Sequence, residues 1–228
     1  MDSLQELKDY LKEINQPLRT DWFGGHDVTV DQEWQQFKAR GKTVADFYKE
    51  SWTLVYHGIF FGDDQWKEPY RRFINETFNP TYSLLDYGCG VGSDGLKFME
   101  QNYAVSFADY PSHCADFLQW RLNQRKLPHT VHTLDDVTVQ ADVVFAFDVL
   151  EHSSDPIEFL QAMESHGKFV AVNLLKWLTE NDLHHAYNAL EILDWIKSNR
   201  IVKLERDVNW AYFVVYQVPP KSKKVKSK

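Results

Sequence analysis

The spacing of hydrophobic residues along the chain changes near residue 80. Up to that point, apolar and aromatic side chains recur at helical spacing. Predicted helices cover 3–15, 31–40, 43–60 and 64–77, and a loop through Pro17 and Gly24-Gly25 follows the first. This pattern predicts an N-terminal helical cap over 1–79, followed by a domain over 80–218 in which short apolar runs alternate with helical stretches.

The domain over 80–218 has the pattern of an α/β sheet. Its apolar runs are YSLLDY (82–87), AVSFAD (104–109), TVHTL (130–134), DVVFAF (142–147), KFVAVNLL (168–175), RIVKLER (200–206) and NWAYFVVYQV (209–218). Predicted helices between them cover 94–102, 112–125, 155–166 and 183–198. Strands that alternate with helices predict a Rossmann-like, doubly wound, mostly parallel sheet. Because only two residues separate the last two runs, too few for a parallel crossover, the sheet should end in an antiparallel hairpin.

The stretch LLDYGCGVGSDGLKF (84–98) carries the clearest chemical signal. Gly88, Gly90 and Gly92 follow the first predicted strand, where an open α/β sheet binds its ligand. Glycine lets a ligand approach the backbone, and the next helix points its free N–H groups at an anionic group. The dinucleotide pattern GxGxxG would place its third glycine one residue later. The observed DxGxGxG, which begins at Asp86, better suits a ligand with a cationic part and no phosphate, such as S-adenosylmethionine.

Acidic residues also follow the next two predicted strands. Asp109 ends the second strand, where a carboxylate accepts hydrogen bonds from ribose hydroxyls, and Tyr110 is placed to stack on an adenine. An acid at a strand end is otherwise often a helix N-cap, but Ser112 is the better placed cap. After the third strand, Asp135 and Asp136 are either acceptors for the adenine amino group or solvated loop acids. Asp135 lies closer to the strand end.

Composition restricts the classes of function. The chain has 228 residues, 43% of them hydrophobic, which suffices for a full-sized core. Five of its 25 basic residues lie in the last eight positions, so the remainder carries 20 basic against 33 acidic residues. This balance disfavours a broad nucleic-acid interface, which needs a positive face. The basic end over 219–228 is predicted to be a disordered tail.

Cysteine count and hydropathy indicate the compartment. The two cysteines, Cys89 and Cys114, form neither a disulfide framework nor a zinc spacing, and no metal site is predicted. The first residues form an amphipathic pattern without the apolar core of a signal peptide. No apolar run approaches the ~20 residues that span a bilayer. We therefore expect a cytoplasmic protein without membrane insertion.

Three motifs together resemble class I S-adenosylmethionine-dependent methyltransferases: DYGCGVG, FADY and FDVLEHSSDP (147–156). The resemblance is nearest to the quinone-biosynthesis methyltransferases and covers about 80–218. The resemblance implies S-adenosylmethionine as cofactor and S-adenosylhomocysteine as product. With the residues discussed above, it predicts a cofactor site of Asp86, Gly88, Cys89, Gly90, Gly92, Asp109, Tyr110, Asp135, Phe147, Asp148 and Val149. Many relatives have a smaller residue at the position of Phe147, whose bulk is expected to narrow the site.

Histidines near the rim of the sheet are the candidates for a catalytic base. His152 comes just after the fourth predicted strand, and an imidazole with an unperturbed pKa of about 6.5 suits proton removal. The alternative is that Glu151 and His152 brace the loop or cap the next helix. His184 and His185 are predicted to begin the helix after the fifth strand. His184 is a second catalytic candidate, and His185 a candidate for substrate contact.

The predicted cap supplies further candidates. Tyr48, Trp52 and Tyr56 are predicted to share one stripe of a helix, either as core residues or as substrate contacts of a lid. His57, on the same helix, is the third catalytic candidate, and Gly58 and Gly62 would act as hinges. Arg71 and Arg72 either bind an acceptor anion or belong to a solvated helix face.

The leading prediction is a methyltransferase that transfers a methyl group in line to O, N or C of a small-molecule acceptor. Two alternatives keep the fold and the cofactor. One is a non-methylating enzyme that catalyses cyclisation, elimination or other alkyl chemistry. The other is a non-catalytic S-adenosylmethionine-binding subunit. The sequence predicts neither the acceptor nor the oligomeric state.

Overall fold

The structure, a computed structural model, describes residues 2–19, 28–62, 65–128 and 130–220. Gly24-Gly25 of the first predicted loop and residues 221–228 of the basic tail lie outside the described residues. The chain divides into two compact units, Met1–Val139 and Gln140–Lys228. The predicted cap over 1–79 and domain over 80–218 remain predictions.

The first unit contains a run of helices followed by three strands. Its elements are α1 (Ser3–Glu13), α2 (Val28–Ala39), α3 (Val44–Glu50), α4 (Thr53–Gly62), α5 (Glu68–Thr77), β1 (Leu84–Tyr87), α6 (Ser93–Glu100), β2 (Val105–Asp109), α7 (His113–Arg125) and β3 (Val131–Thr133). Short 3₁₀ helices cover Gln65–Lys67 and Leu134–Asp136. β2 pairs in parallel with β1 on one side and with β3 on the other.

The second unit contains four strands and two helices among its described residues. They are β4 (Ala141–Ala146), α8 (Pro156–Glu164), β5 (Gly167–Leu175), α9 (Ala189–Asn199), β6 (Ile201–Val208) and β7 (Ala211–Gln217), and a 3₁₀ helix covers Leu150–His152. β4 and β5 are parallel, whereas β7 is antiparallel to both β5 and β6. This pairing confirms the predicted hairpin. Its turn contains Asn209 and Trp210, two residues further along the chain than predicted.

The strands of the first unit lie in the order β3-β2-β1, and those of the second unit in the order β4-β5-β7-β6. β1 and most of β4 and β5 are buried, as expected for apolar strands without polar alternation. The predicted α/β class, a mostly parallel sheet that ends in an antiparallel hairpin, is confirmed. None of the helices in the described part of the chain is both long and apolar enough to cross a membrane.

Side-chain caps explain where several helices begin. Ser112 accepts a hydrogen bond from the N–H of Ala115 at 3.2 Å, which confirms that this serine caps α7. Asp155 caps α8 and Asn188 caps α9, each by accepting from two backbone N–H groups of the first turn. Because Asn188 is the cap, α9 begins at Ala189, six residues later than the helix predicted over 183–198.

Two helix predictions are wrong. The helix predicted over 43–60 is interrupted at Ser51, which is extended and bonds the Glu33 carboxylate at 2.5 Å, so a tertiary contact overrides the helical period. The helix predicted over 183–198 lacks its first turns. There, Asn181 accepts hydrogen bonds from the N–H groups of Leu183 and His184, both at 2.8 Å. Such side-chain bonds offer the backbone an alternative to a helix.

Candidate active site

The loop between β1 and α6 turns on glycines in the left-handed region. The φ angles of Gly88, Gly90 and Gly92 are 80°, 53° and 73°. The N–H groups of Gly88 and Cys89 donate to the carbonyl oxygen of Ala108 at 2.8 and 3.1 Å, which ties the loop to β2. A Cβ built on Gly90 would meet no atom within 4 Å, so the backbone faces open space there. A ligand can therefore approach this part of the loop closely.

Asp109, at the end of β2, holds the same loop. One carboxylate oxygen accepts a hydrogen bond from the N–H of Gly90, and the other accepts from the N–H of Tyr110 at 2.6 Å. Burial raises the pKa of Asp109 to about 6, although the two backbone hydrogen bonds oppose the shift. Each carboxylate oxygen has two lone pairs, so Asp109 can hold the loop and also accept from a ligand hydroxyl.

Asp86 connects β1 to the start of α6. Its side chain is buried, and its Oδ2 accepts a hydrogen bond from the N–H of Gly95 at 3.0 Å. Burial, and then the charge of Asp94, raise the pKa of Asp86 well above its usual value. The same burial, with the charge of Asp109, raises the pKa of the Cys89 thiol. Acidic groups are therefore clustered beneath the loop, and a cationic group in a ligand would favour their ionised form.

Arg71 belongs to this buried charge cluster. Its guanidinium bonds Asp94 at 2.6 Å, and Lys67 lies 3.4 Å from the same carboxylate. Since Arg71 is only 2% exposed, its assignment to a solvated helix face is wrong. Arg72 does face solvent, where it lies 3.5 Å from Glu76.

Tyr110 and Asp135 both lie near the phenol of Tyr87. Burial raises the pKa of Tyr87, and the charges of Tyr110 and Asp135 add to that shift, so both groups are near this phenol. Tyr110 is 48% exposed, and Asp135 is exposed on the 3₁₀ helix after β3. The structure thus brings the predicted residues after β1, β2 and β3 to the same edge of the first unit.

The aromatic residues predicted to form one helix stripe are separated. Tyr48 lies in α3, Trp52 lies between α3 and α4, and Tyr56 lies in α4. Trp52 stacks on His113, with ring centroids 4.2 Å apart. Tyr56 is 3% exposed, and its hydroxyl accepts a hydrogen bond from the N–H of Arg19 at 2.9 Å. The shared stripe is therefore wrong, and substrate contacts from these residues remain predictions.

The glycines of α4 make close packing possible. A Cβ on Gly58 would lie 2.9 Å from a methyl group of Val91, and one on Gly62 would lie 2.2 Å from the hydroxyl of Ser93. Both glycines lie within α4 and let this helix pack against the glycine loop and the start of α6, and their role as hinges stays a prediction. His57, on the same helix, packs its ring 4.3 Å from that of Phe61.

In the second unit, the chain after β4 adopts a constrained conformation. Asp148 has a φ of 54°, which is uncommon for any residue except glycine. Asn173 of β5 holds it by accepting from the N–H of Asp148 at 2.8 Å and donating to its Oδ1 at 2.7 Å. Phe147, 5% exposed, packs against Phe145 and Phe213. The backbone bend thus presents Asp148 at the end of β4.

Three histidines of this unit, His152, His184 and His185, are brought together. The rings of His152 and His184 lie 4.9 Å apart, and the N–H of His185 donates to the carbonyl oxygen of Glu151 at 2.7 Å. His152 Nδ1 lies 3.0 Å from the carbonyl oxygen of Leu183. His184 and His185 therefore reach the 3₁₀ helix from an irregular loop, and the prediction that they begin a helix is wrong.

Sequence analysis missed two residues that shape this site. Asn173 is 1% exposed within an otherwise apolar strand, and a buried amide requires hydrogen-bond partners. The polar Asn173 inside the apolar run FVAVNLL was the available signal. The second missed residue is Tyr187, whose hydroxyl accepts a hydrogen bond from the N–H of Leu175 at 3.0 Å. No pattern in the sequence predicts this contact.

Comparison with solved structures identifies the fold. A SAM dependent methyltransferase from Aquifex aeolicus is 15% identical over 69% of this chain and 95% of its own, with a TM-score of 0.56. Magnesium protoporphyrin IX methyltransferase from Synechocystis PCC 6803, solved with bound SAH, is 16% identical over 86% of this chain and 95% of its own, with a TM-score of 0.57. These likenesses define a methyltransferase fold.

The family follows from the sequence itself. A family model described as a methyltransferase domain matches residues 61–207, well over half of the chain, so the protein belongs to this methyltransferase family. No curated protein sequence matches the chain. The resemblance to class I S-adenosylmethionine-dependent methyltransferases is thereby confirmed. The nearer likeness to the quinone-biosynthesis enzymes stays a prediction.

Proposed function

We propose that the protein transfers the methyl group of S-adenosylmethionine to O, N or C of a small-molecule acceptor. The observation that carries the proposal is the glycine loop, whose backbone faces open space at Gly90 and whose position is held by Asp109. A small acceptor is favoured over nucleic acid because the chain outside its last eight residues has 20 basic against 33 acidic residues.

The residues present fit this cofactor. Asp86 and the glycine loop would hold its amino-acid part, where the buried acidic groups favour an ammonium group and the start of α6 favours a carboxylate. Asp109 would accept hydrogen bonds from its ribose. When bound, S-adenosylmethionine supplies a methyl group on a positively charged sulfur that an acceptor displaces in line. Phe147 and Asp148 of the second unit are also proposed to contact the cofactor.

The hydrogen bonds around the histidines favour His152 as the base. A carbonyl oxygen can only accept, so Nδ1 of a neutral His152 carries the proton that it donates to Leu183, and Nε2 is the basic nitrogen. His184 differs. The amide of Asn181 donates to His184 Nδ1 at 3.2 Å, because its oxygen already accepts two backbone N–H groups. The remaining nitrogen of a neutral His184 then carries the proton.

Calorimetric titration with S-adenosylmethionine and S-adenosylhomocysteine tests the cofactor. We expect both to bind the wild type, and Asp109→Ala to weaken binding more than tenfold, which is about 1.4 kcal/mol. Asp116→Ala serves as the control, since this acid of α7 is exposed and has no role in the proposal. Absence of binding to the wild-type protein would refute the proposed function, and equal binding to the Asp109 and Asp116 variants would refute the role of Asp109.

A further inference from the structure

A cleft of about 690 Å³ opens at the carboxyl end of β5, within the second unit. A cavity of this size accommodates a small organic molecule. Its lining includes Lys176, Trp177, Tyr187, Asn188, Leu190 and Tyr212. The cleft lies between the end of the sheet and the start of α9. None of these residues is among the predicted cofactor contacts.

Strand pairing explains the charged and aromatic wall of the cleft. Tyr212 of β7 lies opposite Leu174 on one side and Asp207 on the other, and directly opposed residues project from the same face of a sheet. Lys176, two residues beyond Leu174, continues on that face. Its ammonium lies 4.6 Å from the centre of the Tyr212 ring and pairs with Asp207. A cation is thus held over an aromatic ring at the cleft.

Two further aromatic side chains complete the walls. Trp177 is 76% exposed, which is unusual for so large an apolar side chain. Leu190, which also lines the cleft, is 52% exposed. Tyr187 is held in place through its hydroxyl, which accepts from the N–H of Leu175 at 3.0 Å. A flat apolar ligand that entered here would cover Trp177 and Leu190 and remove their surface from water.

The cleft adjoins the segment that carries the proposed base. Burial raises the pKa of Tyr187, and the charges of Glu151 and Asp148 add to the shift, so these two acids lie near its phenol. The loop that carries Tyr187 also carries His184, whose ring packs on that of His152. The loop that lines the cleft is therefore also bonded to the segment that carries His152, through the N–H of His185 and the carbonyl oxygen of Glu151.

The charge of Lys176 favours an anionic ligand over a cationic one in this cleft. The Asp207 carboxylate is 65% exposed, so its pairing with Lys176 is a surface ion pair of small net stability. The Lys176 side chain itself is only 15% exposed. An anionic group that entered the cleft would gain a partly desolvated ammonium partner, whereas a cationic ligand would be repelled by the same group.

We infer that this cleft binds the acceptor, and that the acceptor is a flat aromatic molecule with a negatively charged group. The inference rests on the proposed function, whose acceptor it specifies by class. The aromatic part would pack against Trp177 and Tyr212, and the anionic group would bond Lys176. The reacting atom would then be directed towards His152 and His184.

Fluorescence titration with 1-anilinonaphthalene-8-sulfonate, a flat aromatic anion, tests the inference. We expect Trp177→Ala to raise the dissociation constant of the dye about fivefold to tenfold. Lys176→Met keeps the apolar stem and removes the charge, and should raise this constant about tenfold. N-phenyl-1-naphthylamine, the same frame without the sulfonate, should bind wild type and Lys176→Met with affinities within about twofold of each other, because it makes no charge-assisted bond.

Matched variants control for non-specific dye binding. Trp66→Ala removes another tryptophan, 55% exposed in the first unit, and Lys168→Met removes another ion-paired lysine, 2.7 Å from Asp142. Both should bind the dye as the wild type does. If the four variants behave alike, or the wild type does not bind the dye, the cleft assignment is overturned. Calorimetry with S-adenosylmethionine on the same samples separates this outcome from failure of the proposed function, which would appear as loss of cofactor binding in the wild type.

Discussion

The side-chain amide of Asn173 holds Asp148 by two hydrogen bonds, one to its backbone N–H at 2.8 Å and one to its carboxylate at 2.7 Å. Asp148 has a left-handed backbone conformation, which ordinarily costs an L-residue roughly 1–2 kcal/mol. A buried amide at the end of one strand thus sustains a strained residue at the end of the neighbouring strand. Strain that the surroundings maintain in this way is common at functional sites.

Removal of this amide should be costly. We expect Asn173→Ala to lower the free energy of unfolding by about 1–3 kcal/mol, because the N–H of Asp148 loses its buried partner. Urea denaturation measures the change. Asn199→Ala, which removes an exposed amide bonded to a helix carbonyl, is the control and should cost less. A double-mutant cycle with Asp148→Ala should show coupling of about 0.5–3 kcal/mol, and additive effects would contradict the proposed support.

Cofactor affinity should depend on pH through Asp109. Its pKa of about 6 means that the carboxylate is charged at pH 7 and increasingly protonated below pH 6. A protonated group accepts ribose hydrogen bonds less well, so S-adenosylmethionine should bind more weakly at pH 5 than at pH 7. Calorimetry over this range should show a smaller change for Asp109→Asn than for the wild type. An identical pH dependence in both proteins would contradict this account.

A buried ion pair fastens α1 to α7. Arg121 donates to the Glu6 carboxylate at 2.9 Å and to the carbonyl oxygen of Val91, in the glycine loop, at 2.8 Å. Arg125 bonds the same carboxylate at 2.6 Å. The side chains of Arg121 and Glu6 are 2% and 0% exposed. The N-terminal helix is therefore coupled through one guanidinium to the proposed cofactor loop.

Loss of Arg121 should leave the buried Glu6 carboxylate with one positively charged partner fewer. We expect Arg121→Met to destabilise the protein by about 3–5 kcal/mol. Arg72→Met, which removes a surface pair with Glu76, should cost at most about 1 kcal/mol. Thermal and urea unfolding of both variants provide the comparison. Equal losses would show that burial of the pair does not matter.

The contribution of Glu6 should also follow pH with a definite sign. Burial alone would raise its pKa, but hydrogen bonds and charges from Arg125 and Arg121 outweigh burial and lower it. A lowered pKa stabilises the fold above the ordinary value of 4.5, and this stability is lost as pH falls through the pKa of the folded state. The difference in stability between wild type and Glu6→Gln should therefore shrink below pH 4.5. A constant difference would contradict this assignment.

The histidine assignment can be tested by methyl transfer. With isotopically labelled S-adenosylmethionine and a mixture of aromatic acids, His152→Gln should reduce label transfer about 100-fold or more if the acceptor must lose a proton. His184→Gln should have a smaller effect, because Asn181 already occupies its Nδ1. A larger loss in His184→Gln than in His152→Gln would reverse the assignment.

Much of this arrangement was predictable because it depends on local pattern. Apolar runs and loop lengths indicated the strands and the closing hairpin, and DYGCGVG indicated the glycine loop. The interruption at Ser51 and the late start of α9 depended on hydrogen bonds that the Glu33 carboxylate and the Asn181 side-chain oxygen accept, which helical periodicity does not reveal. Partners distant in sequence, such as Asn173 and Asp148, were also beyond prediction, since their meeting depends on the pairing of β4 with β5.

The open space at Gly90 provides the most direct test of the central claim. Gly90 and Gly41 share two properties: a positive φ, 53° and 71°, and no atom within 4 Å of an added Cβ. Alanine at either position should therefore cost similar stability, roughly 1–2 kcal/mol. Only Gly90 lies in the proposed cofactor loop.

Calorimetric titration of S-adenosylmethionine into the wild type, Gly90→Ala and Gly41→Ala is the decisive measurement. We predict that Gly41→Ala binds as the wild type does, whereas Gly90→Ala binds at least about tenfold more weakly, because its methyl group occupies space that the ligand requires. Equal binding by the two variants would show that the loop does not hold this cofactor.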